Sequence, residues 1–230
     1  IAENGIAVTA NEGSELITDF DGEKLNVVYP SEVAFYRAIG NTLQAGKAVK
    51  TIEKPHFDMC GAMYDLSRNG VLNMAYTKQF IAKLALLGMN TYLMYMEDVY
   101  ELEGEPYFGY MRGRYTQAEL KELDAYALSK GMELIPNIQT LAHLNGIVRW
   151  PAYIPMIDQK DFLLVGDEKV YELIEDMFKT ISMTHTSKYV HVGMDEAVGL
   201  GRGKYQDIHG ICNVAEMFVS HIKRVAEIAK

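Results

Sequence analysis

The chain has 230 residues, 49% hydrophobic and 23% charged, enough for one large or two small globular domains. Its net charge of -9 argues against nucleic acid or an anionic membrane surface as partner and suits a neutral ligand. No apolar run reaches the ~18 residues of a membrane span, and two cysteines make neither a disulfide framework nor a zinc knuckle.

Cys60 and Cys212 read as buried free thiols. Ile1 in place of Met implies a trimmed start and leaves cytoplasmic and secreted locations both open. In chain order, Glu15-Leu-Ile-Thr18 and Lys24–Tyr29 read as strands joined by a turn at Asp21-Gly22. Ser31 opens a helix carrying Val33, Phe35, Ala38, Ile39 and Leu43, closed near Gly46. Residues 1–54 read as the tail of a small α/β domain, with Lys54-Pro55 as the linker into residues 55–230.

From Phe57 onward, strands and helices alternate. Gly61–Asp65 is a strand, followed by a helix with Phe80, Ile81, Leu84 and Leu87 on one face and Gly88 at its end. Thr91–Met96 is the second strand. Thr116-Gln-Ala-Glu119 is a capping box for a helix with Leu120, Leu123 and Ala127. Glu133–Ile138 is the third strand, and Val170, Leu173, Ile174, Met177, Phe178 and Ile181 mark an amphipathic helix. Tyr189–Met194 is the fourth strand, and Val214, Phe218, Ile222 and Val225 mark a last helix. Four β/α units imply right-handed parallel crossovers. An open sheet and the first half of an eight-stranded barrel both satisfy this. The turn starting at Asp65 lacks the glycine fingerprint of dinucleotide sheets, which favours an α/β half barrel. A whole barrel needs ~250 residues, so the sequence reads as a truncated chain.

Polar groups stand at each strand end: Asp65 and Arg68, Glu97 and Asp98, then Gln139, His143 and Asn145, then Asp195 and Glu196. A single strand-end Asp is as readily a helix cap as a catalyst, but adjacent acids at a strand exit suit acid chemistry on a polar substrate. Glycoside cleavage needs a proton donor for the leaving oxygen and a partner for the developing positive charge. Asp195 supplies the neighbouring negative charge that would keep Glu196 protonated.

His191-Val-Gly-Met-Asp-Glu196 resembles the H-x-G-G-D-E signature of family 20 glycoside hydrolases, the β-N-acetylhexosaminidases. Gly61–Arg68 is similar to that family's first-strand R-G-x-x-x-D-x-x-R, Glu97-Asp98 to its acids after strand two, and His143 to its P-G-H after strand three. The resemblance runs from about Phe57 to the end. It implies residues 55–230 as the first half of a TIM-barrel catalytic domain, with residues 1–54 the end of a small α/β domain before it. It also implies retaining, substrate-assisted removal of terminal N-acetylglucosamine or N-acetylgalactosamine. Glu196 would be the general acid and then base, and Asp195 would orient the 2-acetamido group. His143 would assist the acid, and Glu97 or Asp98 would line the site. His191 is open between a packed strand residue and a site residue.

Three positions depart from the family pattern: Cys60 stands for its sugar-gripping arginine, Met194 for its second glycine and Gln139 for its acid. The family's later strands supply a tyrosine, tryptophans and a further acid, so this segment alone is expected to lack activity and to self-associate through open edges. Trp150, the sole tryptophan, and the Tyr107–Tyr115 loop suit either a wall over a sugar or a packed surface. No cofactor motif is present. Two other readings are carried forward: a non-catalytic carbohydrate-binding half barrel, and a divalent-metal barrel using Glu97, Asp98, His143 and Asp195.

Overall fold

Leu16, Thr18 and Phe20 alternate with less buried Ile17 and Asp19, and that period of two sets the first sheet. In the computed structural model, which describes residues 5–68 and 70–230, strands β1 (Ala7–Glu12), β2 (Leu16–Phe20), β3 (Lys24–Tyr29) and β4 (Val49–Glu53) form this sheet in the order β1-β3-β2-β4. β1 runs parallel to β3, while β2 is antiparallel to β3 and β4. The expected turn at Asp21 is present: its Oδ1 accepts from the Glu23 and Lys24 amides. β1 and β4 were not expected. Every residue of β1 is exposed and β4 is only half-buried, so neither carries a strong apolar signal.

Helix α1 (Glu32–Ala45) covers one face of this sheet. Ala34 and Ala38 pack there with Leu16, Phe20, Leu25 and Val27. Ser31 starts the helix through its carbonyl rather than its side chain, and Gly46 ends it with φ 63°. Helix α2 (Met74–Leu86) lies against α1 at Gly40, where an added Cβ would sit 2.0 Å from the Leu86 carbonyl oxygen. Leu43 and Leu87, read as members of the apolar faces, are exposed.

Strands β5 (Gly61–Asp65), β6 (Thr91–Tyr95) and β7 (Glu133–Asn137) form a second sheet in that order. Thr91 donates to the Cys60 carbonyl and Leu66 to the Tyr95 carbonyl; Glu133 donates to Asn90 and Met96 to Asn137. Partners advance together along the chain, so the three strands run parallel. Helix α3 (Gln117–Leu128) opens with the expected capping box, Thr116 Oγ1 accepting from Glu119 N and Glu119 Oε2 from Thr116 N. Cys60 is exposed rather than buried, because it enters the solvent-open strand β5. Cys212 is half-buried.

The chain separates into two units: Ile1–Met63 with Asn73–Leu93 and Leu123–Leu134, and Tyr64–Leu72 with Met94–Glu122 and Ile135–Lys230. The second contains the carboxyl ends of β5, β6 and β7, a hairpin of β8 (Ile157–Gln159) and β9 (Phe162–Leu163), and helices α4 (Glu168–Thr184), α5 (Lys204–His209) and α6 (Val214–Ile228). Met194 sits in its core with Leu141, Val165, Leu200 and Met217. Helices α4 and α6 meet through Tyr171, which packs on His221 and under Arg224.

Tyr189–Met194 does not form the regular strand expected. It makes one parallel bridge, Asn137 to His191. Pro136 has no N–H to extend the ladder backwards. At the other end Gly193 adopts φ 45° and turns its N–H onto His191 Nδ1.

Gly40→Ala tests the helix contact. Helix propensity alone would make alanine stabilising by ~1 kcal/mol. The clash with the Leu86 carbonyl reverses this, and chemical denaturation should show a net loss of about 1–3 kcal/mol.

Candidate active site

Residues 136–140 carry the site because they hold the exit of the 189–194 segment. Ile138 N donates to His191 O at 2.9 Å and His191 N to Pro136 O at 2.9 Å. Thr140 adds N–H contacts to Val192 O at 3.1 Å and Gly193 O at 3.0 Å, and its Oγ1 donates to Val192 O at 2.7 Å. Behind Thr140, the fully buried His221 of α6 donates from Nε2 to the Thr140 carbonyl at 2.8 Å, and its Nδ1 lies 3.2 Å from the Tyr171 hydroxyl. Burial pushes the His221 pKa down, against the Thr140 bond, so the ring is a neutral strut.

This docking delivers Asp195 and Glu196 to His143. His143 Nε2 lies 3.3 Å from Asp195 Oδ2 and 3.6 Å from Glu196 Oε2, though off hydrogen-bond alignment to either. On the ring's other side, Arg68 Nη2 is 3.4 Å from Nδ1. A guanidinium only donates, so in the neutral ring Nδ1 accepts and the Nε2 proton faces the two carboxylates. Arg68 also places Nη1 2.9 Å from Asp65 Oδ2 and 2.9 Å from Glu97 Oε1, with its guanidinium 5.2 Å from the Tyr95 ring centroid.

The contacts close into a ring of side chains. Gln139 Nε2 donates to Asp195 Oδ1 at 3.1 Å and to the Tyr95 hydroxyl at 2.9 Å; that hydroxyl reaches Glu97 Oε1 at 3.3 Å. Glu97 returns through Arg68 and His143 to Asp195. Burial raises the Tyr95 pKa and keeps its phenol protonated. Burial also raises Glu97, against Arg68 and His143. For Asp195, burial pushes upward, but the Gln139 donor, its own backbone N–H, His143 and His191 outweigh it, and the net shift is downward.

Of the two acids after β6, Glu97 joins this cluster. Asp98 is fully buried: Arg112 Nε donates to its Oδ1 at 3.1 Å, while Oδ2 lies against the bare Cα of Gly146, where a Cβ would be 1.7 Å away. Burial raises its pKa despite Arg112. Arg112 also donates to the Ser67 carbonyl at 2.7 Å, and Ser67 Oγ accepts from Glu97 N at 2.9 Å, tying the turn after β5 to the end of β6. Asp65 Oδ1 accepts from Ser67 N. His191 is exposed, its Nδ1 accepting from Gly193 N. Trp150 stands in a separate aromatic group, stacked on Tyr107 (centroids 5.2 Å) and edge-on to Tyr110 (5.3 Å).

Sequence reasoning did not single out Tyr95, Thr140, Arg112 or His221, which present as ordinary core and loop residues. It also missed Asp158 of β8, which accepts from Gly201 N at 2.9 Å and Tyr205 N at 2.7 Å and so secures the loop beyond the acid pair. Among the described residues, no three His, Cys, Asp or Glu side chains gather as a metal site.

The sequence profile of glycosyl hydrolase family 20, catalytic domain, matches residues 57–227. Hexosaminidase D of Bos taurus is 26% identical over 135 residues, covering 57% of this chain and 39% of the relative. The exo-β-N-acetylglucosaminidase of Vibrio harveyi, solved with N-acetylglucosamine, superposes with a TM-score of 0.79 at 17% identity over 97% of this chain and 45% of that one. The family 20 β-N-acetylhexosaminidase of Streptomyces coelicolor gives 0.77 at 18% over 99% and 52%. The α/β fold is thus that of family 20 structures, and this chain spans well under two thirds of each protein. It belongs to glycosyl hydrolase family 20.

Both members of the acid–histidine contact adopt left-handed backbone, Glu196 at φ 55° and His143 at φ 60°. Such a conformation is unfavourable for Glu in particular and persists where surroundings hold it. The Glu196 side chain is 77% exposed, so little packing is lost on replacing it. Glu196→Asn, which tolerates this backbone, should raise stability by a few tenths to about 1 kcal/mol. A fall in the denaturation midpoint would contradict strain at this position.

Proposed function

We propose that this chain supplies the acid pair and one wall of the site of a β-N-acetylhexosaminidase, which removes terminal β-linked N-acetylhexosamine with retention. The observation that carries this reading is the meeting of Asp195, Glu196 and His143 beside Arg68, Asp65 and Glu97 in a chain of family 20. The substrate's 2-acetamido oxygen attacks the anomeric carbon, so the protein needs no nucleophile of its own. Glu196 gives a proton to the departing oxygen and later takes one from the attacking water. Asp195, held as a carboxylate, accepts from the acetamido N–H and balances the positive charge on the cyclised intermediate. His143 directs its Nε2 proton toward both acids. Asp195, with Asp65 and Glu97 behind it, places acidic groups where positive charge develops, which favours a cationic transition state.

The architecture that fits this role is the first four strands of an eight-stranded barrel: β5, β6, β7 and the short bridged segment at His191, within residues 55–230. Residues 1–54 are then the end of a small α/β domain ahead of it. Alone, the chain is expected to be inactive and to associate with itself through its open sheet edges. Trp150, Tyr107 and Tyr110 form a ledge for the rest of the glycan, the two tyrosines 45% and 46% exposed. Pyranose rings stack their C–H faces on such surfaces.

In a catalytic domain completed around this segment, Glu196→Gln should lower kcat on an aryl N-acetyl-β-glucosaminide by about 10²–10⁴-fold, with little change in KM. A kcat within about twofold of the parent removes the assignment. The sole tryptophan makes the ledge directly readable. Emission from Trp150 should shift and saturate as the chain is titrated with N-acetylchitooligosaccharides but not with maltooligosaccharides; a flat response to both excludes the ledge from glycan binding.

A further inference from the structure

We infer that Gln139 is a positioning residue that commits Asp195 to the carboxylate form, acting from beneath through a fixed amide orientation. The inference rests on the proposed function for the use made of Asp195, but not for the geometry. Gln139 is fully buried, and its Nε2 stands between the Tyr95 hydroxyl at 2.9 Å and Asp195 Oδ1 at 3.1 Å. An amide nitrogen only donates, so the Asp195 oxygen facing it acts as an acceptor, a role that favours the carboxylate over the acid. Turning the amide over would set Oε1 against that oxygen, an arrangement that holds only if Asp195 carries a proton.

The orientation is imposed from the far side of the ring. Arg68 Nη1 lies 2.9 Å from Glu97 Oε1, and the same oxygen accepts the Tyr95 phenolic proton at 3.3 Å. The phenol oxygen is left presenting a lone pair to Gln139, and only the NH₂ end can meet it. Gln139 Oε1 is buried without a partner on the opposite side. It rests on the bare Cα of Gly193, where a Cβ would come within 2.5 Å of both Oε1 and Cδ. The glycine of the signature therefore makes room for this amide, and the amide cannot swing aside without displacing the segment that carries the acids. The other ionisable groups facing Asp195 are His143, His191 and the adjacent Glu196, with the Glu97–Arg68 pair behind Tyr95.

The test is a carboxyl ¹³C NMR titration of the aspartate-labelled chain, with the Asp195 signal assigned from Asp195→Asn. Gln139→Leu, which removes the donor, should raise the Asp195 midpoint by about one pH unit, and Gln139→Glu, which sets a second carboxylate against it, should raise it further. Tyr95→Phe frees the amide to turn and should move the midpoint in the same direction; it carries the test if Gln139→Leu fails to fold. A midpoint within about 0.2 pH unit of the parent in a folded Gln139→Leu or Tyr95→Phe chain overturns the proposal, since a residue that merely fills space would leave it there. No turnover is needed for this readout. A shifted midpoint together with an unimpaired Glu196→Gln enzyme would remove the hexosaminidase reading and leave the role of Gln139 standing.

Discussion

The acid pair depends on a few backbone hydrogen bonds that dock residues 191–193 onto residues 136–140. Pro136, with no donor, limits that pairing on one side, and the left-handed turn at Gly193 limits it on the other. What remains is one bridge and the contacts of Thr140, short enough that the chain leaves β7 at once and turns its carboxylates toward His143. A longer ladder would carry Asp195 onward in extended geometry, with neighbouring side chains on opposite faces. The irregularity is therefore what lets both acids reach one imidazole. His221, reaching from α6 to the Thr140 carbonyl, ties a helix to the same point.

Burial sorts the remaining charges. The two buried carboxylates each have a cation beside them, Arg68 for Glu97 and Arg112 for Asp98, while the exposed Asp195 has the Gln139 donor. Asp98 and Arg112 sit beneath the loops as a structural pair. Arg68 lies nearer the surface and binds two acids and a histidine at once. The guanidinium suits this because its donors diverge in one plane, a geometry lysine lacks. The result is a negative group whose members are held in place before any ligand arrives.

Much of this was legible in the chain. The strands from β5 to β7, the helices α1 to α4 and α6, and the capping box at Thr116 follow from periodicity and end signals. The acids at strand ends were visible because charged residues rarely follow apolar runs without a purpose. Hidden were elements whose stability comes from partners. β1 is exposed throughout and exists only through pairing with β3. The β8–β9 hairpin and the short α5 carry no period of their own. Tyr95 and His221 looked like core residues because their chemistry lies in a single polar atom. The regular fourth strand expected over Tyr189–Met194 does not form, because Pro136 in the neighbouring β7 and Gly193 at the segment's own exit interrupt pairing.

Asp158 gives the acid-bearing loop a second fixed end. Its two oxygens grip Gly201 and Tyr205, while Gly193 is already docked on Thr140. The intervening segment is thus strung between two anchors, and the two carboxylates are carried on a loop tied down at both ends.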